Sequence, residues 1–338
     1  MQNLALSRLA AAGLIALIAG PALAQTRVPF TLDWKFEGPA APYTLAIDRG
    51  FYADEGLAVE IAEGNGSLDA IPKVATGAFP LGFTDINSLM KFLDQNPGAP
   101  VTAVMMVYDK PPFSVVGRKS LGVSEPKDLE GRVLGAPPPD GAWAQFPIFA
   151  AEQGLDMTQI TVDPVGFPVR EPMLAEGKVA AVTGFSFTSS LSTERLGVPA
   201  DDISVLLMAD YGVALYGNAI IVNTDFARAN PDAVTGFIRA TAKGWREAIA
   251  DPEAAVATLA TRNPAADQAL ELRRFGLSVS DNVLTDYVKE HGMGNIDPQR
   301  FALAIEQMQL VYDFTGEPEA VLYFDASYLP DADSLKLQ

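Results

Sequence analysis

The residues able to do chemistry fall at the ends of short apolar runs, and they are aromatic, amide and carboxylate rather than thiol or imidazole. Trp34 closes a run over residues 28–34, and Tyr108 ends the uninterrupted run 101–107. Asp85 follows Gly82-Phe83-Thr84, either to accept from a ligand N–H or, the commoner use, to cap a helix. Asp140 and Trp143 sit where a proline-rich loop opens a helix. Phe185 follows another apolar run, and Tyr211, Tyr216 and Asn218 bracket a later crossing. Ser67 ends Gly64-Asn65-Gly66-Ser67, a glycine turn between strand and helix. That turn is not a dinucleotide fingerprint, because Asp69 stands where the third glycine belongs and would repel a pyrophosphate. Its expected role is a tight turn presenting Ser67 and backbone N–H groups to a small ligand. Aromatic faces stack on planar molecules and amides and carboxylates accept hydrogen bonds, so the pattern points to reversible binding of a small solute.

The chain has no Cys and a single His, His291. The first absence removes disulfides, thiolate nucleophiles and Cys-based metal sites. One imidazole, in a polar segment read as a solvated loop, leaves almost no material for a His-based triad, a zinc site or a general base near neutral pH. No catalytic residue, metal ligand or cofactor is assigned. The cations able to meet an anionic ligand are Lys35, Lys110 and Arg170. Arg170-Glu171 open a short helix as either a surface ion pair or an anchor for a ligand carboxylate.

The elements that must position these residues alternate between short β-rich and longer helical runs, which predicts an α/β architecture. Strands are expected at 28–34, 58–62, 81–84 and 101–107, with helices at 41–50 and 68–76. After Lys110-Pro111-Pro112 the pattern restarts, with strands near 113–117, 132–135, 160–165, 180–183 and 205–209 and a helix over 143–153. Beyond Tyr216 the chain reads as mostly helical, with helices at 231–250, 252–261 and 298–314. Pro231, Pro252 and Pro298 each follow Asn or Asp, the usual cap-then-proline start. The predicted organisation is lobe I from residues 25–110 plus 217–338 and lobe II from 111–216. Two crossings form a hinge, and a cleft lies beyond the carboxyl ends of the strands.

Residues 1–24 read as a cleavable export signal. Arg8 is the only charge, 9–19 is apolar, Gly20-Pro21 breaks the helix, and Ala22 and Ala24 suit a peptidase cutting after Ala24. Eleven apolar residues make about 16 Å of helix, roughly half a hydrocarbon core, so an anchor is not expected. Cleavage would remove one basic residue and no acid, taking the net charge from −18 to −19. Such a surface repels nucleic acid and anionic lipid. The expectation is a freely diffusing periplasmic monomer.

Several motifs, in order, resemble the substrate-binding proteins of ABC importers for nitrate, sulfonates and thiamine-type pyrimidines. They are Leu32-Asp33-Trp34, Pro42-Tyr43-Thr44-Leu45-Ala46, Gly50-Phe51-Tyr52 and Glu55-Gly56-Leu57-Ala58-Val59-Glu60-Ile61. Val74-Ala75-Thr76-Gly77, Pro126-Lys127-Asp128-Leu129-Glu130-Gly131 and Leu174-Ala175-Glu176-Gly177-Lys178-Val179-Ala180-Ala181 continue the likeness over nearly the whole chain past residue 24. The resemblance implies the two-lobed periplasmic binding protein fold (type II), a cleft ligand touched by Trp34 and Tyr43, closure on binding, and delivery to a membrane permease driven by a separate ATPase. Pyrimidine binders of the family carry Asn and His shortly after the Trp; here those positions hold Glu37 and Ala40, and Pro42 replaces a common Gly. Two alternatives stay open. One is a sulfonate- or nitrate-type anion binder; the other is a thiamine pyrimidine synthase, since yeast relatives of this fold sacrifice an active-site His in an iron-dependent reaction and carry a Cys-rich motif. A sensor domain would need a separate membrane partner.

Overall fold

The computed structural model describes residues 25–338, so the export signal read at 1–24 lies outside the described residues. Ten strands form two five-stranded sheets. The strands are β1 (Thr26–Thr31), β2 (Leu57–Ala62), β3 (Leu81–Asp85), β4 (Val101–Met106), β5 (Phe113–Arg118), β6 (Val133–Gly135), β7 (Thr161–Asp163), β8 (Ala181–Phe185), β9 (Ile203–Leu207) and β10 (Asn218–Asn223). One sheet runs β2-β1-β3-β10-β4 and the other β7-β6-β8-β5-β9. In each, the fourth strand is the one that enters by a crossing, and it lies antiparallel to both neighbours. Helices cover these sheets, which explains why β4 reads as a near-continuous apolar run and why β3 and β5 are buried along almost their whole length.

The chain passes between the sheets over residues 107–112 and 208–217, and the two crossings bond to each other. The N–H groups of Val107 and Tyr108 donate to Asn218 O at 3.0 Å, and Gly217 N–H donates to Tyr108 O at 2.9 Å. A Cβ on Gly217 would lie 2.8 Å from Tyr108 Cβ and 3.0 Å from Pro111 Cα, so the residue at this contact must be glycine.

The 20-residue helix Pro231–Ala250 buries Val234, Phe237, Ile238, Thr241, Ala242, Trp245 and Ala248, a stripe at helical spacing, against β1's sheet and the helix Ala41–Asp48. The C-terminal segment covers the edge of β4: Ala103 N–H donates to Tyr323 O and Asp325 N–H to Ala103 O.

Three expectations need correction. The region after Tyr216 is not helical at once, because Asn218-Ala219-Ile220-Ile221-Val222-Asn223 is β10, a fully buried strand in the middle of its sheet. Its four apolar residues, Ala219-Ile220-Ile221-Val222, carry no periodicity that separates strand from helix. Helices also begin directly at strand ends, at Ile86–Gln95, where Asp85 serves as the cap, and at Ser186–Arg195, where Phe185 holds the cap position without a side-chain bond. His291 ends the helix Asp286–His291 with its ring stacked 4.5 Å from Tyr287, rather than lying in a loop. Among the described residues, no helix is long and apolar enough to cross a membrane.

Candidate functional site

Two adjoining cavities open between the sheets, and Asp33, Trp34, Phe185 and Thr188 line both. The first adds Gly66, Ser67, Asp140, Gly141, Phe167 and Arg170; the second adds Glu37, Tyr43, Phe83, Tyr108 and Phe187 among others. Seven aromatic rings therefore wall one continuous cleft, contributed from both sides. Trp34 meets Phe167 edge-on across it, centroids 4.6 Å apart. The Trp34 indole N–H is turned toward Glu37, is buried, and has no hydrogen-bond acceptor among the described residues. The buried Tyr43 hydroxyl is also unpaired there. Burial raises the Tyr43 and Tyr108 hydroxyls well above their ordinary range, so both stay protonated donors.

Asp33 is the acid of the site. The strand β1 ends two residues before it, its side chain is 6% exposed, and its Oδ2 accepts a 2.6 Å bond from Asn218 Nδ2. Burial pushes the Asp33 carboxyl up to about 7 against that bond, and the nearby Asp85 and Asp140 charges add to the rise. Asn218 Oδ1 is itself buried and unpaired among the described residues. Nothing in the sequence singled out Asp33 beyond its place beside Trp34, yet it lines both cavities.

Two cations line the cleft, Arg170 and Lys35, and both are paired. Arg170, 3% exposed, donates to Glu171 Oε1 at 2.8 Å from Nε and lies 3.8 Å from Asp140 Oδ2. Ser189 Oγ–H also donates to Glu171, and Thr183 Oγ1–H to Asp140 Oδ2 at 3.0 Å. Asp140 caps the helix Gly141–Glu152 through Ala142 N–H, and burial raises its carboxyl. Arg170 does not open its helix as expected: it lies in the second turn of Phe167–Ala175, which starts at Phe167. Lys35 pairs with Glu63 and Lys110 with Asp210, so neither is free for an anion.

Of the residues expected at the site, Trp34, Tyr43, Ser67, Tyr108, Asp140, Arg170 and Phe185 line the cleft. Ser67 Oγ accepts from Asp85 N–H at 3.2 Å, which ties the glycine turn to the end of β3. The other five do not line it. Asp85 is spent as the cap of Ile86–Gln95, accepting from Asn87 and Ser88 and, across the lobes, from Gln145 Nε2 at 3.0 Å. Trp143 stacks on Phe146, and Tyr211 packs edge-on to Phe149. Tyr216 is buried beneath the Arg300 guanidinium, with its hydroxyl accepting from Asp297 N–H. Asn218 acts through Asp33. Gly66, of the glycine turn expected to face a ligand, lines the cleft, whereas Phe167 and Thr188 are cleft residues that the sequence reading did not select; both stand near helix starts, where aromatics and hydroxyls are commonplace.

A model of the family described as NMT1/THI5-like matches residues 39–255, well over half of the chain. The chain belongs to the NMT1/THI5-like family. Relatives of this NMT1/THI5-like chain include the riboflavin-binding protein RibY of Chloroflexus aurantiacus, 28% identical over 86% of this chain and 82% of that one. A formylaminopyrimidine-binding protein of Halalkalibacterium halodurans is 28% identical over 75% and 76%. A hydroxymethylpyrimidine phosphate synthase of Saccharomyces cerevisiae is 24% identical over 86% and 87%. Among solved structures, a Bordetella bronchiseptica protein superposes with a TM-score of 0.71 at 20% identity, covering 90% of this chain and 96% of that one. The alkanesulfonate-binding protein SsuA of Xanthomonas axonopodis, bound to MOPS, gives 0.64 at 15%, covering 85% and 92%. At these identities the structures show the fold, which is the periplasmic binding protein fold.

Proposed function

We propose that this chain is the solute-binding subunit of an ABC importer and that its cleft takes a planar nitrogen heterocycle bearing N–H donors. The observation that carries this reading is Asp33, fixed by Asn218 inside an aromatic-walled cleft whose two cations are paired, Arg170 with Glu171 and Asp140 and Lys35 with Glu63. A ring N–H or exocyclic amine can donate to Asp33, and Trp34 and Phe185 supply faces or edges to a flat ring. Two relatives are named for ligands of this kind, riboflavin and formylaminopyrimidine. A sulfonate or nitrate would face Asp33, Glu37 and Asp140 with no unpaired cation.

The energetics are sufficient. Covering about 150–200 Å² of aromatic surface is worth roughly 4–5 kcal/mol at 25 cal/mol per Å². A hydrogen bond to a charged acceptor adds about 1.5–3 kcal/mol. Further neutral bonds offset association and ordering costs, so a net of about −8 kcal/mol, micromolar affinity, is within reach. The lobes proposed are 25–110 plus 217–338 and 111–216. Contacts from both lobes exist only in the closed state, so the ligand shifts the open–closed equilibrium toward closure. The partners proposed are a permease and its ATPase, and the compartment is the periplasm, reached through the export signal. The synthase reading lacks support in the cleft, since His291, the chain's one His, does not line it.

The test is a tryptophan-fluorescence titration with riboflavin, an aminopyrimidine, an alkanesulfonate and nitrate. A heterocycle should produce a saturable response, and Trp34→Ala should weaken it at least tenfold. A response to the sulfonate or nitrate alone would overturn the reading.

A further inference from the structure

Besides the cleft walls, one edge of the interface carries a row of polar contacts made by one helix of one lobe with a helix and the loop residue Glu37 of the other. Ser186–Arg195 of the β8 lobe faces Gln268–Ser278, which packs on the β1 lobe. Arg273 donates two bonds to Glu194, at 2.9 and 2.8 Å, in a bidentate pair. Ser192 Oγ accepts from Arg274 at 3.3 Å, and Thr188 Oγ1–H donates to Glu37 Oε2 at 3.1 Å. Thr188 and Ser192 are one helical turn apart and so share a face.

The row is anchored on its own side. Arg274 is 2% exposed and paired with Glu271, which also accepts from Gly38 N–H at 2.6 Å. Arg274 Nε lies 3.4 Å from Glu37, and Glu37 lines the ligand cleft. The row therefore runs from the outer edge, at Glu194 and Arg273, to a carboxylate inside the cleft. Glu194, Arg273 and Ser192 line neither cavity, so they can affect ligand binding only through the position of the lobes.

We infer that this row is a closure clasp: it sets the fraction of ligand-free protein that is closed, and through that fraction the apparent affinity for solute. The affinity consequence rests on the solute-binding reading; the clasp itself does not. Apparent affinity scales with the population of the competent state, so a clasp variant weakens binding by the same factor by which it depletes the closed form. Arg273 and Glu194 are partly exposed, with side chains 55% and 32% accessible, and an ion pair in that setting shifts a two-state ratio by about two- to fivefold. Salt should weaken it by screening.

The absence of Cys makes the test clean. Spin labels at Arg228→Cys and Lys178→Cys, exposed sites on opposite lobes, report lobe separation in ligand-free protein by pulsed dipolar spectroscopy. The closed-to-open ratio should fall about two- to fivefold in Glu194→Gln and return in the charge-swapped pair Glu194→Arg with Arg273→Glu. Raising salt should open the parent protein and leave Glu194→Gln unmoved. Identical distance distributions in all three proteins, or a swap that does not restore closure, would overturn the clasp. Because no ligand is added, that failure is separable from a failure to bind any solute.

Discussion

Replacing Asp33 by Asn should make the empty protein more stable and the binding protein worse. The carboxyl is held at about 7 instead of its ordinary 3.8, chiefly by burial. A raised acid favours the fold below its unfolded value, and that contribution is lost as pH rises toward the folded value. The penalty therefore grows from nothing below about pH 4 to roughly 1.5 kcal/mol at pH 5, and reaches at most about 4 kcal/mol above pH 7. An amide of the same shape escapes that penalty and can turn its oxygen to accept from Asn218 Nδ2. Unfolding by urea should thus show Asp33→Asn more stable than the parent by about 2–4 kcal/mol at pH 8, with the difference shrinking as pH falls to 5. In the same preparation the heterocycle should bind about 10- to 100-fold more weakly, the loss of one hydrogen bond to a charged acceptor. Equal stability of the two proteins at pH 8 would refute the argument that Asp33 is kept buried for binding at the expense of the fold.

Gly66→Ala tests closure from the other side of the cleft. Gly66 has φ of +96°, and a Cβ there would lie 2.8 Å from Pro139 O of the opposite lobe. Alanine should weaken binding at least tenfold in the titration, while strain lowers folding stability by only about 1–3 kcal/mol. The export reading is checked by N-terminal mass analysis of protein recovered from a bacterial periplasm, which should begin at Gln25; an intact leader would end that reading.

The sequence carried the helix Pro231–Ala250 without error, because Asn230-Pro231 marks its start and apolar residues repeat at helical spacing for five turns. Most strands were legible as apolar runs between glycines and prolines. β10 was not, since six buried residues have no exposed face to impose alternation, and their place between β3 and β4 depends on a crossing from the other lobe. Trp34, Tyr108 and Phe185 reach the cleft because they follow or end strands on the side where the lobes meet. The same strand-end logic left Asp85 open between ligand acceptor and helix cap, and its helix starts at once and takes the carboxylate as a cap. It misplaced Tyr216, whose ring turns into the core beside Phe301. Asp33 was overlooked because its importance is tertiary: only the pairing with Asn218, 185 residues away, holds it in the cleft.

The most direct test of the account is the identity of the solute that the protein carries when exported and purified without denaturation. Mass spectrometry of material released from the folded protein should find one planar nitrogen heterocycle, up to one per chain, and should find it depleted in Trp34→Ala. An oxyanion such as a sulfonate, or a heterocycle retained equally by Trp34→Ala, would contradict it.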